Sequence, residues 1–269
     1  MKIIWMASVS LAIAVTASGQ QPPDNSLRPA QQSQNTESVG SPREQALTHA
    51  ALDMIHKDYA QAVDIYKTLI RQEPNDASLW NRLGIAYHQQ SMLGDALKCY
   101  EKATKLDKKS GDGWNNIGTV YYQEQKWSKA VRAYRKAIAL NQQEATFYSN
   151  IGLAYLNNKK VPEALQSFNM ALKIDPDVFA QTNRVGTVLQ DRSANDRGMF
   201  FFLLAKSFAA TNNAERCAYY LRKAVDEGYT GIATVANDPG FSGVITDPAV
   251  RVVLGLPALP ATAPRSRGI

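Results

Sequence analysis

Four side chains stand at a constant step of 34 residues: Arg82, Asn116, Asn150 and Arg184. An asparagine amide carries both donors and an acceptor, so a ladder of such groups can pair with the backbone of an extended peptide with little regard to its sequence. A second set is cationic. Lys98 precedes Arg132, and Lys102 precedes Lys136, by the same 34 residues, so these charges form rows able to attract anionic lipid or polysaccharide. Catalysis has far less to draw on. The chain contains no G-x-x-x-x-G-K-[ST] phosphate loop, no G-x-G-x-x-G and no H-E-x-x-H. Gly240-Phe241-Ser242-Gly243 approaches a nucleophile elbow, but Val244 stands where the last glycine is required. His49 and His56, with Asp53 between them, read as well as a solvated helix face as they do as a metal site. These residues point to a protein that binds rather than catalyses, with no cofactor and no metal.

Composition sets the outer bounds. A chain of 269 residues, 45% hydrophobic and 20% charged, suits one or two folded domains and excludes a polytopic membrane protein or a fully disordered chain. A formal charge of +6 permits an acidic partner without requiring one. Cys99 and Cys217 are the only cysteines, and their separation leaves no CxxC pair or disulfide scaffold. Two free thiols are the expectation.

The two ends read as something other than fold. Lys2, the apolar run Ile3 to Val15 and the small residues after it have the layout of a secretory signal over 1–19, with cleavage after Ala17 or Gly19. The run is short for a membrane span, although retention as an anchor stays open. Residues 20–42 are rich in Gln, Ser and Pro and read as a disordered linker. Residues 257–269 repeat that pattern with Pro257, Pro260 and Pro264 and read as a disordered tail.

Positioning comes from a wider periodicity. Trp80, Trp114 and Tyr148 share the 34-residue step, as do Gly84, Gly118 and Gly152, and Tyr87, Tyr121 and Tyr155. In the second half of each unit Ala96, Ala130 and Ala164 align, then Tyr100, Tyr134 and Phe168, then Ala103, Ala137 and Ala171. Between Lys126 and Leu140 the apolar residues Trp127, Ala130, Val131, Tyr134, Ala137 and Ile138 fall at helical spacing and give one apolar face. Small residues let two antiparallel helices approach, and the aromatics fill the space left. One helix pair cannot bury such a face alone, so the pairs stack into a solenoid.

The pattern W-x-x-L/I-G-x-x-Y followed by A-x-x-x-Y/F-x-x-A resembles the tetratricopeptide repeat. The resemblance covers 43–178 in four units: 43–76, degenerate in its first helix, then 77–110, 111–144 and 145–178. It implies an all-α, right-handed superhelical solenoid of antiparallel helix pairs. Beyond it, 179–197 reads as an insert whose stretch Arg184 to Gln190 fits a helix or a strand equally. Residues 198–256 read as a terminal helix pair and a capping segment, Asp238-Pro239 to Leu254, similar to the segment that ends bacterial arrays of this family.

In that family the first helix of each unit lines a concave groove. The resemblance therefore implies that Asn81, Arg82, His88, Asn115, Asn116, Tyr122, Asn150 and Arg184 contact a peptide or protein client. Ile85, Thr146 and Asn150 stand where the chaperone-tail clamp of the family needs an asparagine and two basic residues, so that clamp is not expected. The expected function is a non-enzymatic interaction scaffold, exported to the periplasm or secreted from a bacterium, with no nucleic-acid partner. The alternative is an envelope-associated module that docks anionic polymer or lipid through Lys98, Lys102, Arg132 and Lys136 on its convex face. Neither the client nor the oligomeric state is legible.

Overall fold

The computed structural model describes residues 40–179 and 194–259, and every regular element among them is helical. Eight helices form four antiparallel pairs: α1 (Pro42–His56) with α2 (Tyr59–Gln72), α3 (Ala77–Gln89) with α4 (Leu93–Leu106), α5 (Asp112–Gln123) with α6 (Trp127–Leu140), and α7 (Ala145–Asn157) with α8 (Val161–Ile174). Each pair packs on the next, so the expected solenoid of stacked helix pairs is present. A further pair, α9 (Ala194–Ala210) and α10 (Ala214–Asp226), packs through α9 onto α8. Helix α9 begins at Ala194 instead of the expected 198. The leader 1–19, most of the linker, Arg184 and most of the insert, and the tail from 260 lie outside the described residues.

The glycine and aromatic columns explain the close pairing. A Cβ built on Gly84 would lie 2.5 Å from the Tyr100 ring, one on Gly118 2.6 Å from Tyr134, and one on Gly152 2.5 Å from Phe168. Each of those rings is buried to within 2%. The aromatic of the second helix thus lies flush on the backbone of the first, and only glycine leaves it room.

Helix starts are set by side chains at the first helix of several pairs. Ser41 and Glu44 form a reciprocal capping box on α1, and Asp76 accepts from the backbone N–H groups of Ser78 and Leu79 at α3. The turns between paired helices are tighter. Lys57, Ser91, Gln125 and Lys159, again 34 apart, are left-handed, with φ between 58° and 70°, a region where a side chain is strained.

The C-terminal end closes the stack. Asp238 and Asp247 cap a 3-10 turn (Pro239–Phe241) and a short helix α11 (Pro248–Val253). Phe241, Val244 and Val250 from this segment are buried in the same core as Phe200, Phe202 and Leu221. Lys206 of α9 ties it down through Asp238 at 2.6 Å.

Candidate functional site

The first helices of successive pairs, α3, α5 and α7, bring their polar residues side by side. Asn116 Nδ2 donates to Asn81 Oδ1 at 2.9 Å, and Asn150 Nδ2 donates to Asn115 Oδ1 at 2.9 Å. His88 Nε2 lies 2.7 Å from Gln123 Oε1, and Asn157 Nδ2 donates to the Tyr122 hydroxyl at 2.6 Å. All four contacts join residues 35 apart. The side chains that repeat at 34 therefore do not meet each other. Each meets the residue beside its own repeat partner.

This pairing uses each amide only in part. Asn81 offers its oxygen and Asn116 its nitrogen, leaving the Asn81 NH2 and the Asn116 oxygen without another side-chain partner among the described residues. Asn115 and Asn150 repeat the arrangement. Asn81, Asn115 and Asn116 are half-buried and open to a ligand, whereas Asn150 is 6% exposed and serves mainly to hold Asn115. Tyr122 packs edge-to-face on Trp127 with centroids 5.0 Å apart, which fixes the ring whose hydroxyl receives Asn157.

His88 has a partner at each ring nitrogen. Its Nε2 lies 2.7 Å from Gln123 Oε1 and its Nδ1 3.4 Å from the Tyr100 hydroxyl, and burial lowers its pKa below the ordinary 6.5, with the Gln123 hydrogen bond opposing. Arg82 lies beside Tyr66, whose pKa is raised by burial and partly restored by that guanidinium. Asp53 completes this end of the row: it is 5% exposed, and its Oδ2 has no hydrogen-bond partner. His49 and His56 are exposed while Asp53 is buried, so the three do not converge. The buried Cys99 and Cys217 are free, and burial pushes their thiols up to about 11 and about 12, away from thiolate reactivity.

On the opposite side Lys98, Lys102, Arg132 and Lys136 are all exposed. Lys98 is paired with Asp95 at 3.1 Å. Arg132 and Lys136 instead border a cleft of about 680 Å³ between α4, α5 and α6. Its floor contains Trp114 and Tyr121, with Lys136 Nζ 3.9 Å from the centre of the Trp114 ring and Lys129 Nζ 5.5 Å from that of Tyr121.

Sequence reasoning found the polar columns and missed both the lateral pairing and the cleft. Adjacent asparagines at 115 and 116, flanked by one at 81 and one at 150, were the available signal for the first.

Family profiles described as tetratricopeptide repeat match residues 45–76, 77–110 and 145–178, and one described as TPR repeat matches 118–159. No curated protein matches the chain. Among solved structures it is similar to MamA (residues 41 to the end) from Desulfovibrio magneticus RS-1, at 16% identity and TM-score 0.49, covering 70% of this chain and 96% of that one. Another is YrrB, described as a TPR protein with an unusual peptide-binding site, at 20% identity and TM-score 0.45, covering 68% and 84%. A third is the first TPR of Spaghetti (RPAP3) bound to an HSP90 peptide, at 26% identity and TM-score 0.38, covering 42% and 90%.

Proposed function

The chain belongs to the tetratricopeptide repeat family, and from that premise we propose that it is a non-enzymatic scaffold that holds an extended segment of a partner protein against α3, α5 and α7. One observation carries this reading. The asparagine pairs 81–116 and 115–150 are fixed in place, yet the Asn81 and Asn115 NH2 groups and the Asn116 oxygen, all on half-buried residues, remain for a ligand. A peptide backbone presents acceptor and donor groups along its length, and pre-oriented amides can bind them without the entropy cost of ordering a free side chain. Arg82 and Asp53 give one end of the row a charged character.

Site-directed photocrosslinking tests it. A benzophenone amino acid at Arg82 or Tyr122 should crosslink to a polypeptide in producing cells, while one at Glu215 on α10 should not; equal yields at both would sink the reading. The leader-like 1–19 extends the proposal to an exported protein of the bacterial periplasm or exterior. Recovery of full-length chain with Met1 intact from the cytoplasm only would remove that part. The rival reading, in which the outer face docks anionic polymer or lipid, draws on the exposure of Lys98, Lys102, Arg132 and Lys136, and salt-sensitive pelleting with envelope fragments would favour it.

A further inference from the structure

The cleft between α4, α5 and α6 departs from the repeat around it. Five cationic side chains line it, Lys105, Lys108, Lys129, Arg132 and Lys136, against one carboxylate, Glu101. One unit further along, the same five positions hold Ala139, Gln142, Glu163, Gln166 and Met170. One unit back they hold Arg71, Pro74, Asp95, Lys98 and Lys102, so Arg132 and Lys136 continue the outer rows while the full set of five cations is gathered at this unit.

A second break in pattern coincides with it. Twenty residues before Tyr155 stands Arg135, whose guanidinium donates to the Tyr155 hydroxyl at 2.7 Å, and twenty before Tyr87 stands Lys67, whose ammonium lies 5.5 Å from that ring. At the middle unit the corresponding residue is Glu101, so Tyr121 has no cation from that direction. Its ring instead receives Lys129 from the following helix, which leaves the ring as floor. Beside it lie Trp114 and the buried Ile117 and Ala133. Among the described residues none of the five cations makes an ion pair, and Glu101 is the one carboxylate that lines the cleft with them.

We propose that this cleft binds an acidic segment of a partner protein, with carboxylates on the cationic rim and an apolar side chain set between them on the Trp114–Ile117–Tyr121–Ala133 floor. This gives the outer face a peptide ligand, independently of whether the groove holds one. Charge complementarity selects the acid, since like charges would repel and neutral ones would leave the rim unanswered. The sunken apolar floor selects a side chain: a bilayer plane or a stiff polysaccharide reaches the rim alone. The chain's own remaining segments do not supply such a ligand. Residues 1–39 carry Asp24 and Glu37 against Lys2 and Arg28, 180–193 carry Asp191 against Arg184 and Arg192, and 260–269 carry only Arg265 and Arg267.

Fluorescence anisotropy on the purified chain tests this with a labelled peptide of alternating glutamate and leucine. A peptide of equal charge with serine for leucine, and phosphatidylglycerol vesicles, serve as comparisons. The leucine peptide should bind most tightly, and Lys105→Glu with Arg132→Glu should weaken it by about tenfold or more, as loss of paired charge on a partly desolvated rim does. Urea melts should show that variant folded; if they do not, Lys105→Gln with Lys108→Gln takes its place. Arg82→Ala, on the opposite face, should leave the affinity unchanged. The proposal fails if the serine peptide binds equally, which would mean charge attraction alone, or if vesicles bind in place of the peptide. It also fails if Arg82→Ala removes binding while the cleft variants do not, a result that would keep the groove reading and end this one.

Discussion

Helix α5 presents two different surfaces, and they treat polar groups in opposite ways. Toward α3 and α7 its amides are committed to neighbours: Asn116 to Asn81, Asn115 to Asn150, Gln123 to His88. Toward α4 and α6 the cations around Trp114 and Tyr121 find no carboxylate partner among the described residues. Polar residues that recur with the repeat are spent in part on holding one helix pair in register with the next. The cations of the cleft make no ion pair among the described residues and meet only the rings of Trp114 and Tyr121, and that is where a ligand is most needed to account for them.

The largest expected effect removes the support common to both surfaces. Gly118→Ala would push a Cβ to 2.6 Å from the Tyr134 ring, and that ring is fully buried with its hydroxyl 3.2 Å from Thr119 Oγ1. Overpacking of this kind costs about 1–3 kcal/mol, so the urea midpoint should fall clearly and ligand binding at both surfaces should weaken together. An unchanged midpoint would show that the α5–α6 contact is looser than the glycine column implies.

Next come the amides. Asn150→Ala deletes a buried group and leaves Asn115 Oδ1 without its donor, which should cost about 1 kcal/mol or somewhat more. Asn116→Ala strips a half-buried amide from Asn81, whose oxygen can return to water, and about 0.5 kcal/mol is expected. A double-mutant cycle over Asn81 and Asn116 should show coupling; strict additivity would mean that the pair does not hold the helices in register. Arg132→Ala stands at the other extreme, exposed and unpaired, and should leave stability within about 0.5 kcal/mol. A larger loss there would make the outer cations structural and erase the contrast between the two faces.

Much of the fold was legible because its constraints are local and strict. Gly84, Gly118 and Gly152 against Tyr100, Tyr134 and Phe168 are a steric match that few other residues satisfy, so it survives as a column. The left-handed turns at Lys57, Ser91, Gln125 and Lys159 left no such mark: stacking of the flanking helices imposes the conformation and tolerates a side chain there. Asn116 and Asn150 were visible as a column, but their partners were not, since the contacts between neighbouring helices fall at 35 residues and not at the repeat step of 34. The cleft was hidden for a different reason. Lys105 near the end of α4, Lys108 just beyond it and Lys129 on α6 are separated along the chain, and only packing shows that they and Trp114 share one hollow.

The smallest predicted effect separates the two faces by pH. His88 is the one group between α3 and α5 whose proton affinity the fold shifts within the neutral range: burial holds its pKa below the ordinary 6.5. Below that ordinary value the unfolded chain takes up a proton that the folded chain still refuses, so folding stability falls as the pH drops through 6.5 and levels off once the folded-state pKa is passed. His88→Gln keeps a group able to pair with Gln123 but cannot titrate, and its urea midpoint should fall less across the same interval. Asp238, held below its usual 3.8 by Lys206 and the Gly240 N–H against the cost of burial, loses its contribution only in more acid solution and does not confuse the comparison. The outer cleft contains no histidine, so acidic-peptide binding there should not track the midpoint of His88. If peptide affinity at the cleft and folding stability fell together in the parent but not in His88→Gln, the two faces would be coupled through α5 and could no longer be treated as separate sites.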